Sequence, residues 1–285
     1  MTFPSATLLA QSALSGVFIG SLYGLLGLGV GLAWGLLHVI NLAHFAFAFL
    51  AAYLCYQLAS VGGMDPLLTL ALIVPLFAAL GAALQWLLDR FEVSPLNSLL
   101  ATFGITAIIE AGIQWAWTAD FRKLESVYAG RTFKIGVLFV PLPELLTLLL
   151  SLILAFGIWA AMRYTNLGRA LRALAEDAPM AAAFGINRRA HALVLAGVCG
   201  ALAGIAGVCL ALTYTLTPSQ IYAWVGVVFA AVMLGGLGSA IGPLTGGIVI
   251  GVSEAVTMAF VSPSWAPIVS FSLLIGLLLL KPGRS

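Results

Sequence analysis

Long apolar runs alternate with short polar connections along nearly the whole chain. A helix that crosses a bilayer needs about 20 apolar residues. Runs near or above this length occupy eight stretches, which are residues 8–37, 45–58, 67–88, 96–117, 142–162, 192–213, 225–261 and 266–280. The pattern predicts an all-α polytopic membrane protein with about eight transmembrane helices. We expect residues 1–285 to form a single transmembrane domain.

Two of these apolar regions are interrupted. Polar residues separate the first two runs near residues 38–45, and glycines divide the overlong seventh run near residues 235–243. Backbone groups freed at a break must be buried in protein or line a water-filled path. Broken helices in both halves of a chain are typical of a transport pathway. We therefore predict broken or re-entrant elements at both places, with Asn41 and His44 either capping helix ends or lining the pathway. The second break contributes Gly235, Gly236 and Ser239 to the predicted pathway.

The composition excludes a soluble globular protein. Hydrophobic residues fill 62% and charged residues 8% of the 285 positions, and the mean hydropathy is +1.12, values that indicate a chain surrounded by membrane lipid. A net charge of +2, carried by scattered residues, offers no basic surface for nucleic acid. The three cysteines lack metal-ligand spacing. No phosphate-binding or catalytic motif is visible, so we expect no metal site, no bound cofactor, no catalytic residue and no enzymatic activity.

Glycines recur at four-residue spacing in several apolar runs, as at Gly16, Gly20 and Gly24 or at Gly247 and Gly251. This spacing lets membrane helices approach closely. It predicts packing seams, either within the subunit or at a dimer face.

One connection, residues 163–190, is longer and more charged than the others. Leucines recur on one face of a short predicted helix and charged residues on the opposite face. Pro179 suits the first turn of a second short helix, and Gly185 suits its end. The 163–190 loop is therefore either an ordinary solvated connection between two spans or a surface that a partner grips.

The basic residues can be divided between two sides of the membrane. The richer side would hold Arg90, Arg163, Arg169, Arg172, Arg188, Arg189, Lys281 and Arg284, and the poorer side Arg122, Lys123, Arg131 and Lys134. Because the richer side is normally cytoplasmic, we predict that the 163–190 loop and the C-terminus lie in the cytoplasm.

Two acidic residues, Glu110 and Glu254, fall inside apolar runs. A carboxylate inside the membrane costs several kcal/mol unless it is paired or hydrated, so both residues are candidates for the substrate pathway. The alternative is a structural role, for example with Glu254 bonded to Ser253 or Thr257. If both were proton sites, the chain would be an ion-coupled secondary transporter.

Four stretches resemble the permease subunits of branched-chain amino acid ABC transporters, of the LivH and LivM type. They are SGVFIGSLYGLLGLGVGLAWGLLHVINLAHFAFAFLAAYL at 15–54, PLNSLLATFGITAIIE at 95–110, NLGRALRALAEDAPMAAAFGIN at 166–187 and VMLGGLGSAIGPLTGGIVIGVSEAV at 232–256. One departure is Phe45, where the family's break commonly continues with glycine. The resemblance places Phe45 on the substrate pathway.

The resemblance implies a permease subunit of an ATP-driven importer in the bacterial cytoplasmic (inner) membrane. Its implied partners are two cytoplasmic ATPase subunits that bind ATP and Mg, a second permease subunit (the same chain or a LivM-type relative) and a periplasmic or extracellular solute-binding protein. The implied solute is a branched-chain amino acid or a related small solute such as urea, an amide or a small organic acid. The 163–190 loop resembles the loop that docks the ATPases, with docking residues Arg172, Glu176, Asp177, Pro179 and Gly185.

Overall fold

Eleven α-helices make up most of the fold in the computed structural model, which describes residues 5–261 and 265–280. The first seven are α1 (Ala6–Leu37), α2 (Ala43–Tyr56), α3 (Leu70–Arg90), α4 (Pro95–Trp117), α5 (Leu142–Tyr164), α6 (Asn166–Glu176) and α7 (Ala178–Ala183). The remaining four are α8 (Arg188–Thr213), α9 (Ile221–Gly235), α10 (Gly242–Phe260) and α11 (Ala266–Leu280). Two short strands, β1 (Thr132–Ile135) and β2 (Leu138–Pro141), pair as an antiparallel hairpin.

Eight of the described helices are long and apolar enough to cross a membrane, which confirms a multi-pass α-helical membrane protein. Their division differs from the sequence prediction in one region. The overlong apolar run at 225–261 is two spans, Pro218–Gly235 and Gly242–Phe260. The last helix, α11, has 15 residues, or about 22 Å at 1.5 Å per residue, and is shorter than a hydrocarbon core of about 30 Å.

Helices α1 and α10 pack together along a seam of glycines. A Cβ atom on Gly20 would lie 2.5 Å from the carbonyl oxygen of Gly247, and one on Gly247 would lie 2.5 Å from the carbonyl oxygen of Gly20. Gly16 and Gly251 meet in the same way one turn further along. The predicted glycine seam is confirmed, and both of its sides belong to this chain.

A second packed group forms around α8, which lies against α2 and α3. Gly207 approaches the backbone of Ala48, and Gly200 approaches that of Phe77, so these helices also meet at backbone distance. Helices α4 and α5 lie outside this core, and few of their residues are fully buried. The interior is therefore built around α1, α2, α3, α8 and α10.

Charged residues gather at two opposite ends of the helix bundle. At one end Asp89 and Arg188 line a cavity beside the 163–190 loop. At the other end the hairpin lies beside the start of α1, where the amide of Gln11 exchanges two hydrogen bonds of 3.0 and 2.9 Å with the backbone of Phe139. Lys281 and Arg284, and with them the predicted cytoplasmic C-terminus, lie outside the described residues.

The hairpin end also contains a hydrogen-bonded acid between α2 and α3. The hydroxyl of Tyr128 donates to Oδ2 of Asp65 at 2.7 Å, and the amide of Leu67 donates to its Oδ1 at 2.8 Å. The Tyr128 hydrogen bond lowers the pKa of Asp65, and the same bond raises the pKa of Tyr128. This contact ties the connection before the hairpin to the connection before α3.

Candidate functional site

The two predicted breaks are confirmed and lie side by side. Helix α1 ends where His38 takes a left-handed conformation with φ 56°. Helix α9 ends at Gly235, and the chain reverses through Gly236 and Gly238, which have φ of 92° and 75°. The amide of Gly238 donates to the carbonyl oxygen of Gly31 at 3.2 Å. The second break therefore packs onto the last turns of α1, and the two breaks form one irregular region.

A hydroxyl from α4 satisfies the backbone of the first break. Thr102 Oγ1 accepts a hydrogen bond from the amide of Leu42 at 3.1 Å and lies 3.2 Å from the carbonyl oxygen of Ile40, to which it can donate. Helix α2 has no side-chain cap at its start, so the prediction that Asn41 or His44 caps it is wrong. The physical reason is that the backbone itself closes the first turn, where the amide of Phe45 donates to the carbonyl oxygen of Leu42 at 3.1 Å.

Asn41 and His44 instead line a small internal cavity of about 10 Å³ between α1, α3 and α8. This volume is about enough for one water molecule. Asn41 Oδ1 and His44 Nε2 are buried and have no hydrogen-bond partner in the described part of the chain. Buried polar atoms are normally paired, so these two mark a polar spot beside the break. Their place on the substrate pathway stays a prediction.

The backbone of the glycine-rich break is closely packed, except around one residue. Ser239 Oγ accepts a hydrogen bond from the amide of Gly242 at 2.9 Å and thereby closes the start of α10. Gly235 and Gly242 face each other so closely that neither has room for a side chain. Gly236 has open space around it. The pathway roles of Gly235, Gly236 and Ser239 stay predictions.

Phe45 and Glu110 lie in different environments. Phe45 is 1% exposed and stacks on Phe229 with ring centroids 6.2 Å apart, so it belongs to the packed core of this chain. Glu110 lies on the outer helix α4, where Gln114 donates to its Oε1 at 3.2 Å and Tyr222 is a second hydrogen-bond neighbour. The structure does not bring these two predicted pathway residues together.

Glu254 is buried, with 6% of its surface exposed, and joins three helices. Tyr23 on α1 donates to its Oε2 at 3.0 Å, and Ser270 on α11 donates to its Oε1. The expected local partners are not used, because Ser253 and Thr257 donate to backbone carbonyls of α10. The bonds to Tyr23 and Ser270 stabilise the buried carboxylate.

The 163–190 loop contains the two short helices that the sequence predicts. Helix α6 ends at Glu176, and Asp177 Oδ1 accepts a hydrogen bond from the amide of Met180 at 3.0 Å, which caps the start of α7. Pro179 lies in the first turn of α7, and Gly185 follows its end with φ 84°. The side chain of Asp177 thus has a structural task within the loop.

This loop has one buried face and one exposed face. Leu171 is fully buried where α6 packs against α1, α5 and α8. Arg172 and Glu176 are exposed on α6, and Met180 and Phe184 are 57% and 83% exposed around α7. Large apolar side chains that stand free beside charged residues are typical of a protein interaction surface.

A larger cavity of about 300 Å³ separates the loop from the first break. In its wall Gln85 donates to Oδ1 of Asp89 at 3.0 Å, while Oδ2 of Asp89 is buried and lacks a partner among the described residues. Across residues 5–261 and 265–280, no three His, Cys, Asp or Glu side chains come together as a metal site.

Several residues of this region were not expected from the sequence, namely Gln85, Asp89, Thr102, Met180 and Phe184. A local signal existed for two of them. Gln85 is a polar position inside the apolar run at 67–88, and Asp89 follows one helical turn later, directly after the end of that run. Thr102 carries no such signal, because threonine is an ordinary residue of membrane helices.

Comparisons with known proteins agree with this architecture. The family model described as branched-chain amino acid transport system / permease component matches residues 12–278. The chain is 28% identical over 291 residues to the high-affinity branched-chain amino acid transport system permease protein LivH of Salmonella typhimurium, covering 95% of this chain and 93% of that protein. It is also 28% identical over 293 residues to the high-affinity branched-chain amino acid transport system permease protein BraD of Pseudomonas aeruginosa, covering 95% and 94% of the two chains. No solved structure matches this chain. Since the family match extends from α1 into α11, the chain belongs to the branched-chain amino acid transport system permease family.

Proposed function

We propose that this chain is the membrane-spanning permease subunit of an ATP-driven importer, and that the 163–190 loop is its contact with the ATPases. The observation that carries the proposal is the exposed surface of α6 and α7. Met180 and Phe184 stand free beside Glu176, while Leu171 anchors the other face in the helix bundle. A partner that covers these side chains would bury their apolar surface. It would also hold two helices that are firmly packed on the rest of the chain.

The proposed assembly contains two cytoplasmic ATPase subunits, which bind ATP and Mg, and a second permease subunit, which is a copy of this chain or a relative. A solute-binding protein delivers substrate at the hairpin end. The excess of Lys and Arg at the loop end supports a cytoplasmic loop in a bacterial inner membrane. The names of the relatives support branched-chain amino acids as the solute.

The proposed mechanism converts a movement of the ATPases into a movement of helices. Closure of the ATPase pair would displace α6 and α7. Gly168 at the start of α6 packs directly on the backbone of Met162 in α5, so the displacement would pass into the membrane helices without a flexible linker. The two adjacent breaks offer the irregular backbone at which such helices can change their angles.

The test is ATP-dependent leucine uptake in proteoliposomes that contain the co-expressed complex. Glu176→Arg and Phe184→Ser change exposed side chains that have no structural bond in the described chain, so we expect both variants to fold and to lose ATPase association. Glu125→Arg is the matched control, since it makes the same charge change on an exposed residue at the hairpin end. Asp177 is left unchanged because it caps α7.

Loss of both uptake and bound ATPase in the two loop variants, with ATPase retained in Glu125→Arg, would support the proposal. Normal assembly and uptake in both loop variants would contradict it. The same vesicles test the alternative of an ion-coupled transporter with Glu110 and Glu254 as proton sites. Uptake that continues without ATPases and collapses when the proton gradient is dissipated would favour that alternative. Competition of leucine uptake by isoleucine, valine, urea, an amide or a small organic acid defines the solute.

A further inference from the structure

Residues of opposite charge line the cavity between the 163–190 loop and the first break. Asp89 and Arg188 both line it. Oδ2 of Asp89 is buried and accepts no hydrogen bond within the described part of the chain. A buried, unpaired carboxylate oxygen costs free energy. It therefore points to a ligand that supplies a positively charged donor.

The rest of the wall is partly polar, with Gln85, His38 and Ser98, and partly apolar. Gln85, only 6% exposed, holds the other oxygen of Asp89 at 3.0 Å and fixes the direction of the carboxylate. The apolar part of the wall is aliphatic, with Leu36, Leu37, Val39, Leu88, Val93 and Leu174. The volume of about 300 Å³ lies at the lower end of the range for small-molecule sites.

We propose that this cavity is a binding site for a free aliphatic amino acid that enters from the loop end. Asp89 receives the ammonium group, Arg188 receives the carboxylate, and the leucine and valine side chains surround the aliphatic side chain. The site lies wholly within one subunit and is separate from the residues predicted to line the substrate pathway in the second break.

The position of the site indicates what it does. Its wall is shared by the end of α1 (Leu36 and Leu37) and by the two short helices of the loop (Leu174, Ala175 and Ala178). A ligand would therefore join the loop to the break and oppose their relative movement. This regulatory role, inhibition of uptake by amino acid accumulated in the cytoplasm, rests on the proposed function, whereas the binding site does not.

The test is binding of radiolabelled leucine to the purified full-length chain in lipid nanodiscs, without ATPases. Asp89→Asn and Arg188→Gln keep side-chain shape or polarity and remove one charge each. We expect each to weaken leucine binding at least about tenfold, the loss of one hydrogen bond to a charged group. Two neighbours serve as matched controls, Glu92→Gln and Arg189→Gln, because both residues line an adjoining cavity and not the proposed site. We expect both controls to bind as the unchanged chain does.

Ligand analogues assign the two charges. N-acetyl-leucine lacks the ammonium group and should bind Asp89→Asn and the unchanged chain equally weakly. Leucinamide lacks the carboxylate and should be insensitive to Arg188→Gln. The absence of saturable leucine binding at millimolar concentration, or equal binding by Asp89→Asn, Arg188→Gln and their controls, would overturn the site. Size-exclusion profiles show whether each variant is folded. Binding without ATP-dependent uptake would leave the site in place and contradict only the proposed function.

Discussion

Substitution of one glycine in the α1–α10 seam should separate two helices that the rest of the fold holds together. In Gly20→Ala the new Cβ would lie 2.5 Å from a carbonyl oxygen and 2.6 Å from a Cα atom, both in the backbone of α10, whereas ordinary contact begins at 3.4 Å. The helices must move apart by about 0.9 Å, the difference between these distances. Overpacking of this kind costs about 1–3 kcal/mol, and alanine returns about 0.5–1 kcal/mol as the better helix former. We expect a net loss of up to about 2.5 kcal/mol.

The assay is unfolding of the purified protein in mild detergent, followed by helical circular dichroism as temperature or sodium dodecyl sulfate is raised. Gly104→Ala and Gly112→Ala are matched controls, because both glycines lie in the membrane helix α4 and have nothing within 4 Å of the added Cβ. These controls should unfold at or slightly above the midpoint of the unchanged protein. If Gly20→Ala is as stable as Gly104→Ala, the close approach of α1 and α10 does not hold the fold together and the reasoning is wrong.

Three further predictions concern hydrogen bonds. Thr102→Val leaves the amide of Leu42 without its acceptor and should cost about 1–3 kcal/mol, while Thr106→Val, whose hydroxyl bonds only its own helix, should cost less in the same unfolding assay. Tyr128→Phe should cost less than about 1 kcal/mol, because its hydrogen bond to Asp65 is partly exposed. The lowered pKa of Asp65 means that this contribution is lost as pH falls below about 4, and the raised pKa of Tyr128 means that it is lost above about pH 10. The stability difference between Tyr128→Phe and the unchanged protein should therefore be constant between these limits and absent outside them. Glu254→Gln should lower the unfolding midpoint more than Thr106→Val does, because this carboxylate accepts bonds from two other helices, and an equal midpoint would contradict a structural role.

The helices and their seams could be predicted from the sequence because both depend on local pattern. Apolar run length decides which segments cross the bilayer, and glycine at every fourth position marks the face of α1 that meets another helix. The two short helices of the loop were predictable for the same reason, since Pro179 and Gly185 act on their own backbone. The hairpin at 132–141 was missed because its strands have only four residues each, too few for a clear alternation.

The hydrogen-bond partners could not be predicted, because they come from distant parts of the chain. Glu254 is bonded by Tyr23, which is 231 positions away. Thr102 reaches the amide of Leu42 across 60 positions. A single sequence shows that a buried polar group needs a partner but contains no information about which helix supplies it. The glycines of the seventh apolar run predicted the break, but they did not show whether the chain bends or reverses there, since a glycine-rich break can do either.

Helix α5 connects the two ends of the molecule directly. Its first residue follows β2 without a linker, and α6 begins two residues after its last residue. With 23 residues it is about 34 Å long, and the hairpin at its start is bonded to α1 through Gln11. A force on the hairpin would therefore tilt a stiff helix whose far end is joined to the 163–190 loop. In the proposed assembly, arrival of a loaded solute-binding protein at the hairpin end would be communicated mechanically to the ATPases at the 163–190 loop before any solute has entered the chain.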